Sequence, residues 1–190
     1  GLTVGATVTL TATPASGTPV NCVFTAVATT GSCTFSPALV NQTYSVAVKQ
    51  TINSVDSAAA TLASVVINTT TIATPATPDL VAGSDLGTSS TDNTTSDNTP
   101  TFTVAGSFTG TAVLTASKAG STSVSCTLSS GTCTLTTLGD GAWVVTVTDT
   151  DSSGNSATST GLTVTIDATA PTAPASLTLA AASDSGASSS

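Results

Sequence analysis

The sequence has no histidine, arginine, glutamate or methionine, and its only lysines are Lys49 and Lys118. Each absence excludes something. Two cations against ten aspartates leave a net charge of −8, so the chain cannot neutralise a phosphate backbone and nucleic acid is excluded as a partner. There is no basic amphipathic helix to lie on a membrane surface. No apolar run is long enough for a bilayer-spanning helix, so no membrane span is expected in this segment. No signal peptide is recognisable, and without methionine the chain reads as a mature piece or a fragment. Catalysis has little to work with. Serine and threonine are plentiful, but no general base is placed to activate one, and the aspartates fall in turns with no pocket implied. The chain is therefore not expected to be an enzyme, and no catalytic residue is assigned.

Charged residues make up only 6% of the chain, against about a quarter in an ordinary globular domain. Polarity comes instead from Thr, Ser, Asn and Gly. The chain is 39% hydrophobic, enough for a packed core. Thr and Val suit a pleated surface, and Ala is the only common strong helix former, so the composition points to an all-β protein.

The sequence also matches itself. Tyr44-Ser-Val-Ala-Val corresponds to Trp143-Val-Val-Thr-Val, Val65-Val-Ile67 to Val164-Thr-Ile166, and Val81-Ala-Gly-Ser-Asp-Leu-Gly87 to Ala180-Ala-Ala-Ser-Asp-Ser-Gly186. These matches share one offset of about 99 residues, the size of one β-sandwich domain. Leu10-Thr-Ala12 and Cys22 match Leu114-Thr-Ala116 and Cys126 at a slightly larger offset, absorbed by a longer loop between the cysteines of the first repeat. The expected organisation is a partial repeat over residues 1–74 that lacks the first strands, a complete repeat over 75–172, and the start of a third over 173–190. Pro171 and Pro174 stiffen the linker between the last two.

Alternation and turn chemistry divide the complete repeat into seven strands. They are A near Asp79–Ala82, B Thr101–Ala105, C Ala112–Ser117, D Ser123–Leu128, E Thr132–Thr136, F Ala142–Thr148 and G about Ala157–Ile166. A polar stretch, Gly83–Asn98, separates A from B. Period-two alternation turns Phe102, Val104, Leu114, Val124, Leu128, Leu135, Trp143, Val145, Val147, Leu162, Val164 and Ile166 inward. The first repeat offers Leu10, Val20, Phe24, Phe35, Tyr44, Val46, Val48, Val65 and Ile67 at matching places. Trp143 and Tyr44 alternate with valines, which makes them core residues rather than a sugar-binding platform. Two antiparallel sheets packed over one core is the expected architecture.

Thr77-Pro-Asp-Leu, Ser84-Asp-Leu-Gly-Thr-Ser-Ser-Thr-Asp-Asn-Thr-Thr95 and Asn98-Thr-Pro-Thr-Phe-Thr103 resemble the opening of the bacterial Ig-like tandem repeats of giant surface adhesins and biofilm-associated proteins. Val145-Thr-Val-Thr-Asp-Thr-Asp-Ser-Ser-Gly-Asn155 and Leu162-Thr-Val-Thr-Ile-Asp-Ala-Thr-Ala-Pro171 resemble the closing phrases. The resemblance implies tandem immunoglobulin-like sandwiches in a rod that projects a binding tip from the cell, with calcium near domain junctions in some relatives. Two cysteines per repeat depart from the family's usual pattern.

Cys22 with Cys33, and Cys126 with Cys133, are placed on the inward face of adjacent strands D and E, where opposed residues of an antiparallel pair come close enough to bridge. One disulfide per hairpin is expected, against the alternative of buried free thiols. Zinc is disfavoured because there is no histidine and no CxxC spacing. Disulfides imply an oxidising compartment.

The aspartates are candidate calcium ligands, since calcium takes six to eight oxygens. Strand order puts Asp85, Asp92, Asp97, Asp140 and Asp167 at the outgoing end of the repeat, and Asp149, Asp151 and Asn155 at the incoming end. The same residues are ordinary turn formers, so the two readings stand side by side. The repeats differ here: Asn68 replaces Asp167, and Gln50 and Ile52 replace Asp149 and Asp151, whereas Asp85 recurs as Asp184. Asn41, Asn68 and Asn93 fit the N-glycosylation pattern, which arises easily by chance in so threonine-rich a chain.

The reading that follows is a structural stalk or spacer segment of an extracellular bacterial adhesin or biofilm-matrix protein, on the cell surface or in a secreted matrix. Its partners are neighbouring repeats, with calcium the one candidate cofactor. The alternative is a repeating subunit of an extracellular filament or sheath, in which a strand near Ser176–Ala181 is donated to the open first repeat of another copy.

Overall fold

A computed structural model of the chain describes residues 1–177 and Ser183. Among them, all regular structure is β-strand. The chain divides into two compact units. One comprises Gly1–Pro75 with Phe108–Ala112 and Thr148–Thr158; the other comprises Ala76–Ser107, Val113–Val147 and the residues from Ser159 onward. Of the third-repeat strand expected near Ser176–Ala181, residues 178–181 lie outside the described residues, as does Asp184, and Ser176 and Leu177 form no strand.

The first repeat contributes one sheet. Strands β1 (Thr7–Pro14), β2 (Val20–Thr25), β3 (Gln42–Ile52), β4 (Val55–Asp56) and β5 (Ala60–Ile67) pair antiparallel, with β1 between β2 and β3, and with β3 carrying β4 and β5 along its other edge. The β3–β4 connection is the two-residue Asn53-Ser54 turn with both φ positive, at 49° and 66°. That is the turn whose twist matches a hairpin, and Asn tolerates it well.

Eight of the nine strands that follow fall where the alternation predicts. They are β6 (Asp79–Leu80), β8 (Thr101–Thr103), β9 (Thr111–Ser117), β10 (Val124–Thr127), β11 (Thr132–Thr134), β12 (Gly141–Thr150), β13 (Ser156–Thr158) and β14 (Leu162–Ile166). The ninth, β7 (Thr94–Thr95), lies inside the stretch expected to be irregular. It pairs parallel with β14, through Thr94 with Thr165 and Thr95 with Ile166. The large sheet runs β10-β9-β12-β14-β7 with β13 also on β12, and a three-stranded sheet runs β11-β8-β6.

Three expectations are corrected here. The predicted strands D and E are not neighbours in one ladder. β10 pairs with β9 and β11 pairs with β8, so the chain crosses from one sheet to the other at Ser129–Thr132. Strand G is two strands, because Ser159 interrupts it: its N–H donates to the Val147 carbonyl and its hydroxyl accepts from the Val147 N–H. In the first repeat, the strand expected around Cys33 and Phe35 is absent, and residues 26–41 form no strand.

The complete repeat has a sandwich core. Leu80, Phe102, Val104 and Leu135 of one layer, together with Leu138, and Leu114, Trp143, Val145, Val147, Val164 and Ile166 of the other, are all buried. Val124, Leu128 and Leu162, expected inside, are half-buried. Each fully buried large apolar side chain contributes about 1.5–3 kcal/mol. In the first repeat, Tyr44 is buried with Val8, Ala12 and Cys22. The other expected core residues, Leu10, Val20, Phe24, Phe35, Val46, Val48, Val65 and Ile67, are only half-buried. No second sheet lies over them among the described residues, and a groove of about 580 Å³ lined by Val8, Leu10, Phe24 and Val48 opens on that face.

Candidate functional site

Four cysteines form two disulfides, Cys22–Cys33 and Cys126–Cys133, with Cα–Cα distances of 6.0 and 6.1 Å. The pairing is the expected one; the location is not. Cys126 lies on β10 and Cys133 on β11, so this bond ties the two sheets of the sandwich together rather than stapling one hairpin. Cys22 lies on β2, and Cys33 lies in the irregular segment that follows it.

Trp143 and Tyr44 have matching tasks. Trp143 Nε1 donates to the Gly139 carbonyl at 2.8 Å, and Tyr44 Oη bonds to the Val40 backbone, accepting from its N–H at 3.1 Å and donating to its carbonyl at 3.2 Å. Each side chain buries its ring and fixes the turn four residues before it, as amphipathic aromatics do. Lys118 Nζ lies 5.0 Å from the centre of the Trp143 ring and donates to the Asp140 carbonyl.

The acidic loops separate into residues with distinct local duties. Asp149 is 2% exposed. Its Oδ2 accepts from the Thr109 N–H and hydroxyl, and its Oδ1 accepts from the Gly110 N–H. A buried carboxylate is tolerated when its oxygens are met by such donors. Gly110 is required at this approach, because a Cβ there would meet the Thr150 carbonyl oxygen at 1.9 Å. Asp151 accepts from the N–H groups of Ser153 and Asn155 and from Asn155 Nδ2. Its carboxyl is held below its ordinary value, first by the Asn155 side chain and then by the backbone donors.

At the other end of the repeat, Asp140 accepts from the Ala168 N–H and the Thr169 hydroxyl. The Thr169 hydroxyl, followed by the Ala168 N–H, lowers its carboxyl from the ordinary value. Asp97 takes the Thr99 N–H and hydroxyl, and Asp92 takes the Thr94 N–H. The Asp167 side chain is exposed, while its N–H donates to the Thr95 carbonyl.

Asp85 stands apart. It is 4% exposed. Its Oδ2 accepts from the Asn93 N–H at 3.2 Å, and its Oδ1 is buried without a hydrogen-bond partner. Among the described residues, no three acidic or thiol side chains form a group suited to a metal ion. Asp85, Asp92 and Asp97 therefore share a loop region without converging on one point.

Thr95, which sequence reasoning passed over, joins the same region. It is 1% exposed. Its hydroxyl donates to the Ser84 carbonyl at 2.5 Å and accepts from the N–H groups of Leu86 and Asp97. Ser84 Oγ in turn accepts from the Thr101 N–H. A buried threonine with this inventory is signalled only by its place between two Asx-type turns, at Asp92 and Asp97.

The candidate glycosylation residues are engaged locally. Asn41 Nδ2 donates to the Thr70 hydroxyl and its Oδ1 accepts from Thr69, Asn68 Oδ1 accepts from the Thr70 N–H, and Asn93 is half-buried with φ of 60°.

A family model described as "Bacterial Ig-like domain" matches residues 71–168. No curated protein matches. A solved structure described as "Crystal structure of tetra-tandem repeat in extending region of large adhesion protein" is similar at 21% identity and a TM-score of 0.32, over 88% of this chain and 43% of its own. The chain thus spans less than half of that relative's length. With more than half of its residues matched by the family model, and with two β-sheet layers closed over the core that the matched segment contains, the chain belongs to the bacterial Ig-like domain family.

Proposed function

We propose that the chain is a structural spacer, a segment of the stalk of an extracellular bacterial adhesin or biofilm-matrix protein in which successive Ig-like repeats act as rigid length. The observation that carries this reading is the repetition of one sheet in one register. Leu10 faces Cys22 as Leu114 faces Cys126, and Tyr44 faces Val65 as Trp143 faces Val164. Repeats that preserve register while their loops diverge suit a role carried by the scaffold. A disulfide in each repeat suits an oxidising, extracellular setting.

Electron microscopy of the native protein tests this. Separate thin rods with one bead per repeat are expected; ordered fibres with a helical lattice would overturn the spacer reading in favour of a self-assembling filament.

A second reading concerns calcium, and the buried, unpartnered Asp85 Oδ1 favours it. A cation there would take Asp85 as its buried ligand. Calorimetric titration with Ca²⁺ is expected to show binding that Asp85→Asn abolishes; absence of heat at millimolar Ca²⁺ removes the reading.

A further inference from the structure

The chain leaves each repeat past its last strand, β5 or β14, and at both exits a side chain from the turn before β3 or β12 takes hold of it. Asn41 Oδ1 accepts from the Thr69 N–H at 2.8 Å, and Asn41 Nδ2 donates to the Thr70 hydroxyl at 2.9 Å. One repeat later, Asp140 Oδ1 accepts from the Ala168 N–H at 2.9 Å, and its Oδ2 accepts from the Thr169 hydroxyl. The positions are equivalent: Asn41 and Asp140 stand three residues before Tyr44 and Trp143, and the residues they hold stand two and three after Ile67 and Ile166. The Thr70 hydroxyl accepts where the Thr169 hydroxyl donates, so the threonine reverses its bond to suit an amide or a carboxylate. Asn41 Oδ1 also takes the Thr69 hydroxyl, a bond that Ala168 cannot make.

The holding residue is itself held. Tyr44 Oη bonds both backbone groups of Val40, and Trp143 Nε1 bonds the Gly139 carbonyl, in each case the residue just before it. Lys118 Nζ adds a bond to the Asp140 carbonyl at 2.6 Å. A buried aromatic thus fixes the turn, and the turn presents its side chain to the exit. Backbone beyond a strand end frays unless it is tied down. Exposed hydrogen bonds are weak singly because water competes for them, but a side chain already set in place loses little further freedom in making two.

We infer that Asn41 and Asp140 are linker clasps, positioning residues that carry the order of each sheet past its last strand and stiffen the linker that follows. The inference rests on the spacer reading for its biological meaning, since a stalk gains rigid length from its linkers as well as its domains. It gives Asp140 a task that depends on the shape of its side chain and not on its charge, because Asn41 does the same without one. A calcium ligand, by contrast, draws on the carboxylate charge.

The test is NMR on the full chain, reading hydrogen exchange and nitrogen relaxation at the Thr69 and Ala168 amides. Asp140→Ala is expected to speed Ala168 exchange about tenfold, as the loss of a charge-assisted hydrogen bond would, and to increase the fast motion of that amide, with Thr69 unchanged. Asn41→Ala is expected to do the same to Thr69 and to leave Ala168 alone. Asp140→Asn is expected to keep Ala168 protected to within about twofold, since an amide keeps the acceptor and trades one hydroxyl bond for another. The buried Val145 and Val164 report whether the repeat stays folded. Where Asp140→Ala disturbs them, Thr169→Val takes its place; it removes one bond of the pair at an exposed position and is expected to loosen Ala168 by a smaller factor. An Ala168 amide that none of these substitutions loosens overturns the clasp. An Asp140→Asn chain as loose as Asp140→Ala also overturns it, assigning the hold to charge or to a bound cation. Beaded rods from a chain without this protection refute the clasp alone; lattices from a chain that has it keep the clasp and refute the spacer.

Discussion

The sheet of β1 to β5 and the sheet of β9, β10 and β12 to β14 are the same object in two surroundings. Strand order and cross-strand partners agree: β2-β1-β3 corresponds to β10-β9-β12, and β4 and β5 correspond to β13 and β14. Burial does not agree. Leu114, Val145, Val147 and Val164 are each 0% exposed. Their counterparts Leu10, Val46, Val48 and Val65 are half-buried, and Leu62, which faces Val46, is 62% exposed. The difference lies in β6, β8 and β11, which bring Leu80, Phe102 and Leu135 over the second sheet. Alternation, turns and register can build a sheet locally, whereas a core needs a second layer.

The largest way to break the comparison is at the covering layer. Phe102→Ala is expected to destabilise the complete repeat by about 3–5 kcal/mol, as large-to-small changes in closed cores do. Phe24→Ala, on the open face, is expected to cost well under half of that. Denaturant unfolding followed by the single tryptophan, Trp143, reads the first, and backbone circular dichroism reads the second. Replacing Cys126 and Cys133 together by alanine should cost about 2–3 kcal/mol in the chain-entropy account of a short closed loop. The measurement is the shift of the same unfolding midpoint.

The hairpin ends sharpen the contrast. Asp149→Ala leaves the N–H groups of Thr109 and Gly110 without their acceptor, for an expected loss of about 1–3 kcal/mol. Gln50 stands at the matching position and accepts only an exposed bond from the Thr3 N–H, so Gln50→Ala should cost about 1 kcal/mol or less. Equal losses would mean that the two hairpins are held alike.

Acid has the smallest expected effect. Asp140 and Asp151 have carboxyls lowered from 3.8 by their donors, and Asp56, bonded first by Lys49 and then by Thr51, is lowered in the first repeat. A carboxyl whose folded value is depressed adds stability that is complete above its unfolded value and lost as pH falls through the folded one. Stability should therefore be flat with respect to these three groups above pH 3.8 and decline only below it. Asp56 and Asp140 are exposed and Asp151 is half-buried, so the decline should be gentle. Carboxyl titration by NMR, with Asp140→Asn as the comparison, checks this.

Much of the architecture was legible in the sequence because strands announce themselves by period two. Phe102, Leu114, Trp143, Val145 and Ile166 alternate with Thr or Ser, or follow a glycine-bearing turn, and all are buried as read. Sheet membership was not legible. The segment from Cys126 to Cys133 reads as a hairpin, but the pleat does not record whether a turn keeps the chain in its sheet or carries it across. β7 escaped because Thr94-Thr95 is too short to show a period and sits among turn formers. The acidic residues were visible as types, but their partners are backbone N–H groups, which leave no trace in composition. Thr109, Gly110 and Thr95 acquire their significance only from the loops that bring them to Asp149 and Ser84.

Amide hydrogen exchange under native conditions tests most directly the claim that one sheet is closed by a second layer and the other is open. Exchange through local opening needs little free energy where few apolar contacts hold a strand, and approaches the global unfolding free energy in a closed core. The amides of β12 and β14 are expected to be the slowest in the chain, and those of β3 and β5 to exchange orders of magnitude faster, although β3–β5 is also a long antiparallel ladder. Equal protection of the two sheets would contradict the account.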